Sequence, residues 1–142
     1  MTTRSLLLVE DNPSDIELTK RAFAKCHLVN GLVVTEDGQA ALDYLLGDPA
    51  RELPAVVLLD LNLPRVSGLE VLRRLRAHPR TQLLPVVVLT TSKREQDFVE
   101  SYRLGANSYI HKPVNFAEFS AAVAQLGLYW LVLNELPGMS DG

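Results

Sequence analysis

The sequence has little cysteine, no long hydrophobic run and no excess of positive charge, and each of these absences excludes a class of protein. Cys26 is the one cysteine among 142 residues, so an intramolecular disulfide is excluded and a reducing compartment, the cytoplasm, is the expected location. No apolar run reaches the roughly 20 residues of a membrane-spanning helix, and the N-terminus carries no signal-like segment. Lys and Arg number 14 against 17 Asp and Glu, and a formal net charge of −3 gives nucleic acid no electrostatic attraction. We therefore expect neither a membrane nor a nucleic acid as partner.

The composition indicates one folded domain. Hydrophobic residues make up 47% and charged residues 22% of the chain, which are ordinary values for a globular protein. The sequence has no repeats or low-complexity segments, and its length is sufficient for one sizeable core. We expect one domain over residues 1–136, with residues 137–142 as a C-terminal tail.

Four short strand-like runs each end in a residue that can do chemistry. They are residues 6–9 before Glu10 and Asp11, residues 55–59 before Asp60, residues 86–89 before Thr90, and residues 109–111 before Lys112. Short runs rich in β-branched residues indicate strands that are buried on both faces, as in parallel sheets covered by helices. Ligands of such sheets bind just outside the carboxyl ends of the strands. These polar side chains are therefore expected to converge at one end of one sheet.

Helical patterns alternate with the strand-like runs, which indicates βαβ units. The residues expected to cap helices are Asn12, Ser67, Ser92 and Asn115. Ser92 and Glu95 have the spacing of a capping box at the start of the fourth helix, and Gly105 is expected to end that helix in a left-handed conformation. The pattern predicts an α/β fold with a parallel sheet, five strands and five helices.

Three acids within a few ångström of one another need compensation. Two like charges about 4 Å apart repel by roughly 4 kcal/mol at an effective dielectric constant near 20. A site that contains Glu10, Asp11 and Asp60 must raise a pKa, take up a proton or bind a cation. Carboxylate ligands without cysteine or histidine favour Mg²⁺, which retains waters and shares its coordination sphere with phosphate oxygens.

Lys112 and Thr90 complete a phosphate-binding pattern, because an amine and a hydroxyl can hold phosphoryl oxygens that a metal does not reach. Taken alone, Asp60 reads as a loop residue or a helix cap, Thr90 as a strand end and Lys112 as a surface lysine. Their joint occurrence at the ends of predicted strands favours a site for a metal and a phosphoryl group.

The motifs at these strand ends resemble the receiver domain of two-component response regulators. The matching segments are Val9-Glu10-Asp11-Asn12, residues 59–64 with Gly68, residues 89–92 and residues 108–113. The resemblance covers roughly residues 5–126. It implies a flavodoxin-like, doubly wound sheet of five parallel strands in the order 2-1-3-4-5. A receiver domain is itself a standard example of this strand order.

The resemblance also implies roles for individual residues. Asp60 would be the phosphoryl acceptor. Glu10, Asp11 and Asp60 would hold Mg²⁺, and the backbone carbonyl of Asn62 would be a further ligand. Glu10 departs from the Asp that many receivers have at this position, although its longer side chain still reaches a metal through water.

A phosphoryl-dependent switch is implied as well. Lys112 and Thr90 would bind the phosphoryl group. The Thr90 hydroxyl would move onto that group, and the Tyr109 ring would swing from an exposed to a buried position. New charge at Asp60 is a sufficient physical cause, since it attracts a nearby hydroxyl.

A sensor histidine kinase is the implied phosphoryl donor. The chain would be a single-domain response regulator that signals by conformational change and protein–protein contact and is not an enzyme. Three further segments resemble regulators of bacterial phytochrome-type histidine kinases: residues 37–42, 106–110 and 129–131.

The last predicted helix is apolar on two faces and therefore needs a second partner. The helical pattern predicts Leu128, Leu131 and Val132 on roughly the opposite face from the one that packs on the sheet, and we expect them to form a homodimer interface. The alternative is that this extension folds back onto its own domain.

Three other functions compete with this interpretation. A haloacid-dehalogenase-like phosphatase also uses an aspartyl phosphate, but it needs a second acid where this chain has Asn62. A flavin-binding module needs a phosphate-cradling loop, which residues 11–14 do not provide. A docking domain that never accepts phosphate has no use for the acids and Lys112.

Overall fold

The computed structural model describes residues 5–25, 31–112 and 115–127. Within these ranges strands and helices alternate along the chain. The elements are β1 (Leu6–Val9), α1 (Pro13–Lys25), β2 (Leu32–Thr35), α2 (Gly38–Leu46), β3 (Val56–Leu59), α3 (Gly68–Ala77), β4 (Val86–Thr90), α4 (Glu95–Arg103), β5 (Ser108–His111) and α5 (Phe116–Gly127). None of the helices in the described ranges has the length and apolar character that crossing a bilayer requires.

The strands form one sheet in the order β2-β1-β3-β4-β5, and each neighbouring pair is parallel. The predicted fold class and strand order are therefore confirmed. In this order β1, β3, β4 and β5 are consecutive, so the four strands whose carboxyl ends carry the candidate residues lie side by side. The sheet alone is enough to gather those residues at one end of the domain.

Helices cover both faces of the sheet, and successive strand residues alternate between two cores. Leu7 and Val9 face the core that α2 and α3 complete, with Leu45 and Leu72 among its buried members. Leu6 and Leu8 face the opposite core, to which α1 and α5 contribute Phe23 and Phe119. A central strand is buried on both sides in this architecture, which explains its uninterrupted apolar sequence.

Side-chain caps begin four of the described helices, and three of them were predicted; the fourth is Asp37, whose Oδ1 accepts from Ala40 N at 2.7 Å at the start of α2. The Oδ1 atom of Asn12 accepts hydrogen bonds from the backbone N–H groups of Ser14 and Asp15, at 2.9 and 3.1 Å. Ser67 Oγ accepts from Glu70 N at 3.2 Å, and Asn115 Oδ1 accepts from Glu118 N at 2.7 Å. These caps satisfy N–H groups that have no partner within the helix.

The predicted capping box at Ser92 and Glu95 is wrong. Helix α4 begins at Glu95 itself, and its N-cap Arg94 makes no side-chain capping bond. Ser92 Oγ instead donates to Asp97 Oδ2 at 2.6 Å and accepts from Arg94 N at 3.3 Å. The Ser92 hydroxyl thus donates to Asp97 in the first turn of α4, and Ser92 belongs to the loop before the helix.

The end of α4 follows the prediction for Gly105. This residue has a φ of +97°, a left-handed conformation that glycine adopts without a steric penalty. The predicted dimer residues Leu128, Leu131 and Val132 lie outside the described residues, as do the far end of the predicted extension and the tail at residues 137–142. The dimer interface and the domain boundaries therefore stay predictions.

Candidate metal and phosphoryl site

The pairing of β1 with β3 brings the first two acids together. Val9 is in register with Leu59, and the residues that follow them are Glu10 and Asp60. The backbone pairing continues one step beyond the strands, because Asp60 N donates to Val9 O at 3.1 Å and Glu10 N donates to the β2 residue Thr35 at 3.0 Å. The acids are therefore fixed by sheet geometry and not by a mobile loop.

The predicted acid cluster forms. One carboxylate oxygen from each of Glu10, Asp11 and Asp60 lies within 4.8 Å of the other two. Glu10 and Asp60 are buried, with 1% and 6% of their surface exposed, whereas Asp11 is exposed. The cluster is thus closed on the protein side and open on the solvent side, which suits an ion that keeps some of its waters.

The electrostatics of Glu10 show what the cluster requires. The pKa of Glu10 is raised to about 7, chiefly by desolvation on burial; the hydrogen bond from Lys112 opposes this rise and the charge of Asp60 adds to it. A carboxyl pKa this high means that the surroundings of Glu10 lack enough positive charge to stabilise its ionised form. The hard oxygen donors and this deficit fit a divalent cation such as Mg²⁺.

Asp60 sits where β3 runs into a tight loop. Its Oδ1 atom accepts a hydrogen bond from Asn62 N at 3.2 Å, which fixes the rotation of the carboxylate. Gly68, the first residue of α3, packs so closely on this turn that a Cβ atom there would overlap the Asp60 carbonyl and lie 2.6 Å from Leu61 Cα. Its N–H donates to Leu61 O at 3.0 Å. The start of α3 therefore braces the backbone of Asp60.

Lys112 reaches the acids from β5. The pairing of β4 with β5 extends to a bond from Lys112 N to Thr90 O at 2.7 Å, and this places the side chain over the site. Lys112 Nζ lies 2.6 Å from Glu10 Oε1, 2.8 Å from Asp15 Oδ2 and 3.6 Å from Asp60 Oδ2. Desolvation lowers the pKa of Lys112, but its hydrogen bonds to Asp15 and Glu10 and the charge of Asp60 produce a net rise. The amine is a buried, permanently charged group.

Asp15 is the one member of this arrangement that the sequence reasoning missed. It lies in the first turn of α1, where an acid is usually explained by the helix dipole. No motif marks it, and 97 positions separate it from Lys112. The available signal was its position one helical turn after Asp11, on a helix that starts at the site.

Thr90 and Tyr109 both contact Ser92. Thr90 is fully buried, and its Oγ1 accepts a hydrogen bond from Ser92 N at 3.3 Å. The Tyr109 hydroxyl donates to Ser92 O at 3.3 Å, and its half-buried ring packs edge-on against Phe98 with centroids 5.1 Å apart. Burial, and after it the charge of Asp97, raises the pKa of Tyr109. The two predicted switch residues are thus linked through one loop residue.

Comparison with protein families gives one match over most of the chain. Residues 6–124 match the family model described as the response regulator receiver domain. The chain is 42% identical to the probable methanogenesis regulatory protein FilR2 of Methanothrix harundinacea over 135 residues, which are 94% of this chain and 87% of FilR2. It is 36% identical to the response regulator Rcp1 of Synechocystis, with 93% of this chain and 92% of Rcp1 covered.

Solved structures give the same result. The phosphorylated cyanobacterial phytochrome response regulator RcpA superposes with a TM-score of 0.86 at 36% identity, covering 96% of this chain and 100% of RcpA. The Mn²⁺-bound form of Rcp1 gives a TM-score of 0.83 at 35% identity, covering 95% and 99%. The bacteriophytochrome response regulator AtBRR is 50% identical, with a TM-score of 0.73 and coverage of 95% and 100%.

Proposed function

We propose, because this chain belongs to the response regulator receiver domain family, that Asp60 is the residue on which it accepts a phosphoryl group from a sensor histidine kinase. The observation that carries this assignment is the state of the two buried acids. Glu10 has both oxygens engaged, Oε1 by Lys112 at 2.6 Å and Oε2 by Asn12 N at 3.2 Å. Asp60 Oδ2 accepts no hydrogen bond from the described residues and faces Lys112 Nζ at 3.6 Å. It is the available nucleophile.

The transfer forms a bond between Asp60 Oδ2 and phosphorus and breaks the bond between phosphorus and the imidazole nitrogen of the kinase histidine. Lys112 is placed to neutralise charge on the transferred oxygens, and such fixed charges are the main contribution of the protein to phosphoryl transfer. Mg²⁺ supplies further neutralisation when Glu10, Asp11, Asp60 and the Asn62 carbonyl hold it. The acid cluster and the Mn²⁺-bound form of Rcp1 support this role for a divalent ion.

The switch would use Thr90 and Tyr109. When the Thr90 hydroxyl turns to a phosphoryl oxygen, it gives up its hydrogen bond from Ser92 N. This loss would remove one of the bonds that hold the loop, while the Ser92 hydroxyl keeps its bond to Asp97. A shift of the loop backbone would then break the bond from the Tyr109 hydroxyl to Ser92 O. The Tyr109 ring can turn inward once that bond is broken. The phosphoryl signal is thereby converted into a change of surface between β4 and β5.

A phytochrome-type kinase is the partner that we favour. RcpA and AtBRR are named as response regulators of phytochromes and resemble this chain over at least 95% of its length. FilR2 is named a probable methanogenesis regulatory protein, so the stimulus has to be decided by experiment. We also propose a receiver domain over residues 1–136, a homodimer through Leu128, Leu131 and Val132, and a cytoplasmic location.

We further propose that the chain is a switch and not an enzyme. Asn62 stands where a phosphatase of the haloacid dehalogenase type would need its general acid, so a leaving alcohol would have no proton donor. One relative at 31% identity is a probable cyclic di-GMP phosphodiesterase, but the match covers 24% of that protein. Sustained turnover of a phosphomonoester by this chain would contradict the proposal.

The decisive experiment is labelling by acetyl phosphate and by histidine kinases. The wild-type chain should take up one phosphoryl group in the presence of Mg²⁺ and none in EDTA, and Asp60→Asn should take up none. Asp43→Asn, which removes an exposed acid from α2, is the matched control and should label like the wild type. Labelling of Asp60→Asn at the wild-type stoichiometry would contradict the assignment. Profiling against several kinases, one of them light-sensing, tests the partner.

A further inference from the structure

A fourth carboxylate meets Lys112 without belonging to the acid cluster. Asp15 Oδ2 accepts a hydrogen bond from Lys112 Nζ at 2.8 Å, and its side chain is 29% exposed. Among the described residues, the carboxylates close enough together to hold a metal ion are those of Glu10, Asp11 and Asp60 and do not include Asp15. Asp15 therefore contacts the amine and is left out of the group that would bind the ion.

The first turn of α1 holds Asp15 in place from three sides. Its N–H donates to Asn12 Oδ1 at 3.1 Å. Its carbonyl accepts from Thr19 Oγ1 at 2.8 Å, and Thr19 is buried. Its carboxylate is held by Lys112. A side chain on such a fixed turn can orient a neighbour because it has little freedom of its own.

The three carboxylates around Lys112 have different roles in the proposed reaction. Glu10 would be one of the residues that hold the ion, and Asp60 would carry the phosphoryl group. Asp15 has neither task. It is therefore the partner of Lys112 that neither the ion nor the phosphoryl group would engage.

The hydrogen-bonding capacity of the amine gives the same answer. An ammonium group has three N–H donors. Glu10 and Asp15 take two of them, and Asp60 Oδ2 at 3.6 Å lies outside hydrogen-bond distance. The remaining donor is therefore kept for a group on Asp60.

We propose that Asp15 is a positioning residue, which holds the Lys112 amine so that its free donor meets the phosphoryl group on Asp60. This inference rests on the proposed function. The opposite role, a latch that withholds Lys112, does not fit the distances, because Nζ is already 3.6 Å from Asp60 Oδ2 while Asp15 holds it. Lys112 does not have to leave Asp15 to reach a phosphoryl oxygen.

The test is the affinity for beryllofluoride, a phosphoryl mimic, in the presence of Mg²⁺. Asp15→Ala should weaken binding roughly tenfold, the amount expected when one charge-assisted hydrogen bond that fixes the donor is lost. Asp15→Asn keeps an acceptor oxygen at the same place and should recover part of that loss. Glu17→Ala removes an exposed acid from the same helix and should bind like the wild type. If Asp15→Ala does not fold, Asp15→Asn replaces it in the test, and its beryllofluoride affinity should fall further below the wild type than that of Glu17→Ala.

Two further readouts separate positioning from a structural effect. In a Lys112→Met background Asp15→Ala should have no additional effect on beryllofluoride affinity, because Asp15 acts through the amine. NMR of the lysine ε-methylene groups in the metal-free protein should show two inequivalent protons for an immobilised Lys112, and these should merge in Asp15→Ala.

The outcomes distinguish this inference from the function on which it rests. If the wild type binds no beryllofluoride and is not labelled at Asp60, the proposed function fails. If the wild type binds and Asp15→Ala matches Glu17→Ala, the function stands and the positioning role is overturned. Tighter binding by Asp15→Ala would also overturn it, since that result belongs to a latch.

Discussion

Replacing Lys112 by Met tests how much the site depends on its cation. Met keeps most of the apolar stem and removes the charge, so packing changes little while Glu10, Asp15 and Asp60 lose their shared partner. The amine lies 2.6 and 2.8 Å from two of these carboxylates and 3.6 Å from the third. In the metal-free protein no other cation is within ion-pairing distance of Glu10 among the described residues. The substitution therefore leaves buried negative charge without compensation.

The expected cost follows from the burial of the partners. Removing one member of a buried ion pair usually costs about 3–5 kcal/mol, because the other charge stays buried and unpaired. Glu10 has 1% of its side chain exposed and belongs in this range, whereas Asp15 at 29% is partly screened by water. We expect a loss of about 3 kcal/mol, which corresponds to a decrease in Tm of roughly 10 °C for a domain of this size.

Thermal unfolding followed by circular dichroism, in EDTA at pH 8 and pH 5.5, measures this loss. The decrease should be larger at pH 8. At pH 5.5 Glu10, whose pKa is raised to about 7 even with the amine present, takes up a proton and no longer needs it. Lys20→Met, which removes an exposed lysine from α1, is the control and should unfold like the wild type at both pH values. A Lys112→Met protein with the wild-type Tm at pH 8, or with the same loss at both pH values, would refute the reasoning.

Two further substitutions test the acid cluster and its support. Glu10→Gln should remove a pH dependence of the free energy of unfolding. In the wild type the pKa of Glu10 is about 7 in the folded chain against an ordinary 4.5, so the folded chain binds this proton more tightly than the unfolded chain. As the pH rises from 4.5 to 7, the metal-free wild type should therefore lose at most about 3 kcal/mol of stability relative to Glu10→Gln. If the free energy of unfolding of the two proteins changed with pH in the same way across this range, the Glu10 pKa would not be raised. Gly68→Ala should destabilise the fold by about 1–3 kcal/mol in urea, because the new methyl group overlaps the Asp60 carbonyl. Gly47→Ala is no control for it, since a Cβ there also overlaps backbone. Ala77→Gly at the opposite end of α3 measures the cost of helix propensity alone, at most about 1 kcal/mol, which the loss in Gly68→Ala should exceed. An unchanged urea midpoint for Gly68→Ala would contradict the close packing.

The strand ends were predictable because two patterns agree there. An apolar run of four or five residues gives the strand, and the polar residue after it marks the edge of the core. Glu10 and Asp60 follow such runs directly and Lys112 follows the shorter run of residues 109–111, so their convergence needed only the neighbour relations of the strands. Those relations came from the resemblance to receivers, since βαβ patterns alone do not fix the order in which strands pair.

Asp15 and Ser92 show where sequence reasoning stops. Contact between Asp15 and Lys112 depends on the angle at which α1 leaves β1, and no local pattern encodes that angle. Ser92 has the residue type and spacing of a cap, yet Asp97 competes for its hydroxyl and the helix starts later. The capping preference of a serine is not realised when a nearby charged group offers its hydroxyl a stronger hydrogen bond.

The order of the elements along the chain has a consequence for folding. Glu10 and Asp60 lie in the first half of the sequence, whereas Lys112 follows β5, 102 positions after Glu10. A nascent chain that has not yet released β5 from the ribosome carries every acid of the cluster and not the amine that compensates them. The last strand thus delivers the counter-charge as well as the edge of the sheet.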